Sequence, residues 1–167
     1  MAQIAEAIVR RHLEAKGLIV YEPVTGKAHP FDKLCAARDK RTLVIAEVKA
    51  KPSRRFFPDT GINLHHWEEY REIRKKHRIE VLIYFVDEDA AAIYGNKLSI
   101  LEEPRVVEDN HRTLRYPLVQ NGIIYFPLAA MQVVAHLNDA EVDALAALST
   151  RDGKYVEQPR PPAPPAP

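Results

Sequence analysis

The sequence is short of cysteine, glycine and net charge, and each shortage excludes a class of protein. Its 167 residues include a single cysteine, Cys35, which excludes an intramolecular disulfide framework and is compatible with a reducing, cytoplasmic compartment. Only six glycines are present, and none forms a glycine-rich phosphate loop. Because the formal net charge is +1, contact with nucleic acid would need a local basic patch.

Long apolar runs are also missing. No run approaches the roughly 20 residues of a membrane-spanning helix, and no charged-then-apolar leader is visible, so we expect neither secretion nor membrane insertion. The length suits one domain over 1–150, with a core over 1–88 and additions over 89–150. The proline-rich stretch 151–167 predicts a disordered tail, which either stays unbound or binds the aromatic groove of a protein partner.

The most informative stretch is the strand predicted over 42–51. An unbroken apolar run, Leu43–Ala46, leads directly into Glu47 and Lys49. Side chains two apart point to the same side of a strand, so Glu47 and Lys49 would project together. A strand buried on both faces has no ordinary use for charge. Either the strand ends before Glu47, or the two charges take part in chemistry.

A second carboxylate lies upstream, at Asp32. The segment Phe31–Ala36 alternates in polarity and residues 38–41 are turn-like, so a hairpin over 31–49 would bring Asp32 to Glu47. Two carboxylates on adjacent strands can hold a hard divalent cation, most simply Mg²⁺. Such a cation activates water and neutralises a phosphate, and Lys49 can orient that water or stabilise the developing charge. The pattern therefore favours phosphodiester cleavage.

Asp32, Glu47 and Lys49 together resemble the signature of the PD-(D/E)xK nuclease superfamily, whose restriction-endonuclease-like fold includes Holliday-junction resolvases. The resemblance implies an α/β core of a helix, three antiparallel strands forming a meander, a second helix and a parallel strand. It further implies that Asp32 and Glu47 bind the metal ion, with the backbone carbonyl of Val48 as a further ligand. Beyond this core, we expect α+β additions toward the C-terminus.

The same resemblance bears on the first predicted helix, Met1–Lys16, in which apolar residues recur at three- and four-residue spacing. In the superfamily an acidic residue on this helix often reaches the metal site, and Glu6 is the matching position. The alternative is a solvated surface glutamate that favours the helix N-terminus. Phe31 separates Pro30 from Asp32, so the strict Pro-Asp dipeptide is absent.

Two basic segments follow the Glu-x-Lys strand and are candidates for binding a nucleic-acid backbone. In the predicted loop Lys51–Pro58, aromatic residues alternate with the cations Lys51, Arg54 and Arg55. The predicted helix Leu64–His77 has a basic stripe that continues just past its end, formed by Arg71, Arg74, Lys75 and Arg78. The alternatives are solvated arginines over buried phenylalanines, and cations that merely stabilise the helix C-terminus.

His66 and Tyr70 are four residues apart and therefore share a face of the second helix. This spacing is similar to the Gln-x-x-x-Tyr motif of RecB-type nuclease domains, with histidine in place of glutamine, and implies a contact with nucleic acid. Tyr70 is equally suited to the core. His65 and His66 diverge by about 100° on a helix, so the pair does not indicate a zinc site.

The strand predicted over 80–86 is linked to the Glu-x-Lys strand through a helix, so the two are expected to run parallel. The segments 90–94 and 97–101 suit short strands or a helical turn. After them we predict a charged loop over Glu102–Arg112, and then a hairpin turning at Asn121-Gly122 between 114–119 and 122–126. Two helices are predicted last, over Ala129–Leu137 and Asp139–Leu148.

These patterns predict a Mg²⁺-dependent endonuclease that hydrolyses DNA, with Mn²⁺ able to substitute. The small size favours recognition of DNA structure or action within a larger DNA-processing assembly, and a homodimer would suit the cutting of two strands. Two alternatives stay open. One is a non-catalytic nucleic-acid- or protein-binding module on the same fold, and the other is a small α/β interaction protein whose Glu-x-Lys is coincidental.

Overall fold

The N-terminal half of the chain forms the predicted core. A computed structural model describes residues 1–23, 31–39 and 41–148. Its first elements are α1 (Ala2–Ala15), β1 (Ile19–Tyr21), β2 (Lys33–Ala36), β3 (Leu43–Ala50), β4 (Asp59–Asn63), α2 (Leu64–His77) and β5 (Glu80–Asp87). Strands β1, β2 and β3 form an antiparallel meander, and β5 runs parallel to β3. The predicted order of helix, meander, helix and parallel strand is confirmed, and β4 is an additional strand.

The C-terminal half adds strands to this sheet and builds two smaller ones. Its elements are β6 (Ala92–Lys97), α3 (Leu98–Leu101), β7 (Arg105–Asp109), β8 (Arg112–Tyr116), β9 (Leu118–Gln120), β10 (Ile123–Pro127), a 3-10 turn (Leu128–Ala130), β11 (Gln132–His136) and α4 (Asp139–Ala146). The main sheet has six strands in the order β1-β2-β3-β5-β6-β11. A three-stranded sheet has the order β4-β10-β9, and β7 pairs with β8. Strands β3 and β5 are therefore central in the main sheet.

Two apolar clusters cover the two faces of the main sheet. On one face, α1 packs over β3 and α4 packs against α1, in a cluster that includes Val9, Leu145 and Val48. On the other face, α2 and the three-stranded sheet contribute Tyr70 and Phe126 to the second cluster. Burial on both faces explains why β3 and β5 are nearly continuous apolar runs in the sequence.

The predicted helix over Ala129–Leu137 is wrong. Its first residues form the 3-10 turn, and β11 follows as an edge strand paired antiparallel with β6. The β-branched pair Val133 and Val134 suits a strand, and the edge of β6 offers backbone hydrogen bonds that a helix would leave unused. The tertiary setting therefore overrides a helical periodicity that is only local.

The predicted loop over Glu102–Arg112 is also wrong, because β7 and β8 form a hairpin there. Its turn has Asn110 and His111 at φ of 45° and 67°, the left-handed values that a tight hairpin turn requires. The predicted strand 114–119 is divided at Pro117, so that β8 pairs with β7 and β9 pairs with β10. The predicted turn at Asn121-Gly122 is confirmed, with φ of 52° and 73°.

The proline-rich tail predicted over 151–167 falls outside the described residues. Within the described ranges, no helix is long and apolar enough to cross a lipid bilayer.

Strand β4 approaches β10 so closely that only glycine fits at position 61. A Cβ atom on Gly61 would lie 2.3 Å from the Ile124 carbonyl oxygen and 2.9 Å from Cδ1 of Tyr125. We expect Gly61→Ala to lower the free energy of unfolding by about 1–3 kcal/mol, because backbone atoms must move. Denaturant titration measures this loss. Gly122→Asn is the control, since nothing lies within 4 Å of that Cβ position and asparagine tolerates its positive φ; an equal loss in both variants would contradict the packing argument.

Candidate active site

Glu47 and Lys49 lie on the same side of β3, on the face covered by α2. Glu47 is almost fully buried at 3% exposure, whereas the Lys49 side chain is 25% exposed. The Lys49 ammonium donates a hydrogen bond to Oε1 of Glu47. The strand therefore continues past Ala46, and it places a cation with access to solvent beside a buried carboxylate.

Asp32 directly precedes β2 and reaches across to β3. The hairpin aligns Lys33 with Ala46, and Asp32 Oδ2 accepts a hydrogen bond of 2.7 Å from the backbone N–H of Val48. The N–H and C=O of one residue in an extended strand point to the same side. The Val48 carbonyl therefore faces the same edge of β3 as Asp32, where no strand residue of β2 is paired with it.

The surroundings of Glu47 raise the pKa of its carboxyl group. Burial raises the pKa of its carboxyl group, repulsion from Asp32 raises it further, and Lys49 and the Tyr70 hydroxyl lower it. Its second oxygen, Oε2, is buried and accepts no hydrogen bond from the part of the chain that the structure describes. A buried carboxylate oxygen without a donor, next to a second carboxylate, is chemically suited to a cation.

Glu6 lies at the rim of the same centre. The pKa of Glu6 is raised by burial first and by repulsion from Asp32 second, and Glu47 also contributes. Among the described residues, no three Asp, Glu, His or Cys side chains are grouped closely enough to hold a metal ion. The oxygen donors that a cation would meet at this centre are Asp32, Glu47 and the Val48 carbonyl.

Sequence reasoning missed Lys33, which is among the largest fully buried side chains of the described residues. Its Nζ lies 2.8 Å from Oε1 of Glu22 and 3.8 Å from Oε2 of Glu6. A buried lysine needs carboxylate partners, and here it offsets part of the negative charge around Asp32. Its position beside Asp32, on the core-facing side of an alternating strand, was the signal available in the sequence.

Tyr70 belongs both to the core and to the site. It is 2% exposed and packs in the apolar cluster under α2, while its hydroxyl interacts with the Glu47 carboxylate and lowers the pKa of Glu47. The ring of His66 lies 6.3 Å from the Tyr70 ring, centroid to centroid, so the two residues share a helix face as predicted. The buried Tyr70 is thus placed to fix the Glu47 side chain.

Comparison with solved structures identifies the architecture. A scan against models of protein families and a search of curated proteins each gave no match. The chain is similar to the solved structure of Hjc from Archaeoglobus fulgidus, described as a Holliday junction resolvase from an archaeal hyperthermophile. The TM-score is 0.51 at 15% sequence identity. This chain has a Holliday-junction-resolvase-like fold.

The resolvase-like fold confirms the predicted restriction-endonuclease-like class. The match covers 83% of this chain and 96% of the Archaeoglobus chain. It therefore extends beyond the predicted core of residues 1–88 into the C-terminal additions. At this identity the likeness concerns architecture, so the roles of Asp32, Glu47 and Lys49 depend on the geometry described above.

Within the resolvase-like fold, the loop after β3 is confirmed as non-helical, and its cations Lys51 and Arg54 contact other residues of the same chain. Arg54 forms a two-pronged ion pair with buried Asp59, at 2.5 and 2.6 Å. Lys51 donates a hydrogen bond of 3.0 Å to the Gly61 carbonyl, and burial lowers its pKa. These contacts assign Arg54 and Lys51 to holding the loop in place, whereas Arg55 is exposed.

The predicted basic stripe of α2 likewise contains cations that pair within the protein and cations that are exposed. Arg71 and Arg74 pair with Glu102 at 3.0 and 2.9 Å, and so connect α2 to the end of α3. Lys75 and Arg78 are exposed. Arg71 is also exposed but is held by Glu102, so Lys75 and Arg78 are the better candidates for phosphate contacts.

Proposed function

We propose that this protein is a metal-dependent endonuclease that hydrolyses phosphodiester bonds in DNA. The observation that carries the proposal is the buried Oε2 of Glu47, which has no hydrogen-bond donor in the described residues and lies beside Asp32 and Lys49. Keeping a buried carboxylate beside Asp32 costs free energy, and Lys49 offsets that cost only in part, because the pKa of Glu47 stays raised with Lys49 in place. A purely structural role does not account for that arrangement.

The oxygen donors at this centre fit Mg²⁺. Asp32, Glu47 and the Val48 carbonyl would hold the ion, and Mn²⁺ is expected to substitute because it also accepts carboxylate, carbonyl and water oxygens. When bound, such an ion polarises a phosphoryl oxygen and lowers the pKa of a bound water. The Val48 N–H fixes one oxygen of Asp32 at 2.7 Å, so this ligand is oriented before the ion arrives.

The residues around the donors supply positioning and charge. The Lys49 ammonium is held by Glu47 and reaches solvent, where it orients the attacking water or stabilises negative charge on the phosphate. Tyr70 restrains Glu47 from beneath. The exposed cations Arg55, Lys75 and Arg78 contact DNA phosphates, and such contacts position the duplex without specifying its sequence.

We take the substrate class from the fold and from these phosphate contacts, which carry no sequence information. The similar Archaeoglobus protein is described as a Holliday junction resolvase, and we extend the preference for branched DNA to this chain. A homodimer would place two centres on the two strands of such a substrate. Recognition then depends on DNA shape and not on base sequence.

Cleavage of matched substrates tests the proposal directly. Labelled four-way junction, flap, linear duplex and single-stranded DNA are incubated with the full chain in Mg²⁺, in Mn²⁺ and in EDTA. We expect metal-dependent cutting that is fastest on branched DNA. Salt-sensitive retention of DNA without cutting would overturn the proposal and support a non-catalytic binding module.

Lys49 provides the corresponding variant. We expect Lys49→Met to lower kcat by about 10²–10³-fold with KM little changed, because the ammonium acts on charge that develops in the transition state. Lys76→Met is the matched control, since Lys76 is an exposed lysine on α2. Equal losses in the two variants would show that Lys49 contributes only to general DNA attraction.

A further inference from the structure

A row of alternating cations and aromatic rings fixes the loop that follows β3. The guanidinium of Arg54 lies between two rings, 4.1 Å from the centroid of Phe57 and 3.7 Å from that of Tyr125. The Lys51 ammonium lies 5.8 Å from the Tyr125 ring centroid, and the Arg112 guanidinium lies 4.6 Å from that of Phe57. This cation–aromatic row connects the end of the Glu-x-Lys strand to the β7–β8 hairpin.

The neighbouring residues of the loop point the other way. Phe56 is 67% exposed, the most exposed large apolar side chain in the described part of the chain, and the Arg55 guanidinium lies 5.4 Å from its ring centroid. The two residues border an open groove of about 510 Å³ between the loop and the β7–β8 turn. The groove is lined by Arg55, Phe56, Phe57, Asp109, Asn110 and Arg112.

The exposed ring is presented by a firmly held backbone. The Arg112 guanidinium donates a hydrogen bond of 2.8 Å to the Phe56 carbonyl and another of 2.6 Å to Asp109. Arg54 and Asp59 hold the loop from beneath. Leaving a phenylalanine in water forgoes the free energy that its burial would contribute. The fold therefore maintains an exposed ring that its own stability does not require.

We propose that this groove binds an unpaired nucleotide of the DNA substrate, with the base stacked on Phe56 and the backbone phosphate near Arg55 and Arg112. The inference rests on the proposed nuclease function and deepens it. An exposed ring beside guanidinium groups is the combination that binds single-stranded nucleic acid, because every base offers a stacking face and every nucleotide a phosphate. The Asp109 carboxylate is paired with Arg112, so repulsion of the phosphate is reduced.

The ring selects for unpaired bases for a geometric reason. Bases inside a duplex already stack on their neighbours, so Phe56 can stack only on a base that has left the helix or lies in a flap or at a junction. Four contacts, none longer than 5.8 Å, link Lys51 to Arg112 along the row. These contacts therefore form a continuous path from the groove to the end of the strand that carries Glu47 and Lys49.

Equilibrium binding without cleavage tests the inference. The full chain is titrated in EDTA with a plain duplex and with the same duplex carrying a single-stranded flap that contains 2-aminopurine. Wild type should bind the flapped DNA more tightly and quench the 2-aminopurine. Phe56→Ala should weaken flap binding by about 5- to 150-fold, the range for one stacked base, and leave duplex binding within about twofold. Phe56→Trp should restore both signals.

Val133→Ala is the matched control, because Val133 is a 50% exposed apolar residue on the edge strand β11. This variant should bind the flapped DNA and the plain duplex as tightly as wild type does. Equal weakening of duplex and flap by Phe56→Ala, or no weakening of either, would overturn the inference. Cleavage in Mg²⁺ is scored separately. If wild type cuts DNA but its preference for the flap does not depend on Phe56, the inference is wrong and the nuclease proposal stands. If the preference depends on Phe56 but no DNA is cut, the nuclease proposal is wrong and the inference stands.

Discussion

Glu47→Gln will abolish Mg²⁺-dependent cleavage without lowering the thermal stability of the protein. The amide keeps the shape of the side chain but loses the negative charge that would bind the ion, so we expect cleavage to fall by at least about 10³-fold. Stability should be equal to wild type or higher, because the neutral group removes repulsion from Asp32 and the cost of burying a charge. A carboxylate needed only for folding would give the opposite result.

Two measurements on the same preparation separate these outcomes. Single-turnover cleavage of a four-way junction gives the activity, and thermal unfolding in EDTA gives the melting temperature, Tm. Addition of Mg²⁺ should raise the Tm of wild type and not that of Glu47→Gln, since an ion stabilises only the state that binds it. Glu103→Gln is the control, because that side chain is 54% exposed. Retained cleavage in Glu47→Gln would refute the assignment.

Asp59→Ala will produce the largest loss of stability of the substitutions considered. Asp59 is fully buried and accepts hydrogen bonds from Arg54 through both oxygens and from the Tyr116 hydroxyl at 2.6 Å. Its removal leaves a largely buried guanidinium and a buried hydroxyl without their acceptor. Breaking one partner out of a buried ion pair costs about 3–5 kcal/mol, which corresponds to a fall in Tm of about 6–20 °C for a chain of this size.

Denaturant unfolding at constant pH measures this loss. Asp143→Ala on α4 is the control, since the residue is exposed and such changes usually stay within about 0.5 kcal/mol. The double variant with Asp59→Leu and Arg54→Met should regain much of the stability, because it removes both charges together. If Asp59→Ala unfolded like wild type, the ion pair would not hold the loop.

The elements that follow a strong sequence period were predictable. Helices α1 and α2, strands β3 and β5 and their parallel pairing come from apolar patterns that agree with the tertiary setting. The segments 102–112 and 129–137 were not. Charged residues obscure the short strands β7 and β8, although these two are neighbours in the chain, whereas β11 depends on a distant partner, β6. Strand β11 exists through its pairing with β6, and the sequence of 129–137 does not reveal that partner.

The candidate site likewise has features that the sequence predicted and features that it did not. The spacing of Glu47 and Lys49 and the hairpin that brings Asp32 to them were evident from order along the chain. The buried Lys33 and its contact with Glu22 were not, nor was the internal use of Arg54. Whether a charged side chain lies on the surface or in a buried ion pair depends on its neighbours in space. Those neighbours come from other helices and strands, so the local sequence does not identify them.

Binding of Mn²⁺ measured by electron paramagnetic resonance tests the central claim most directly, because it reports the ion without requiring cleavage. The full chain is titrated with Mn²⁺ beside Asp32→Asn and Glu47→Gln. Our account predicts that wild type binds the ion, that Mg²⁺ displaces it, and that each variant loses the binding. Equal binding by wild type and both variants would place the ion elsewhere and contradict the assignment of Asp32 and Glu47 as its ligands.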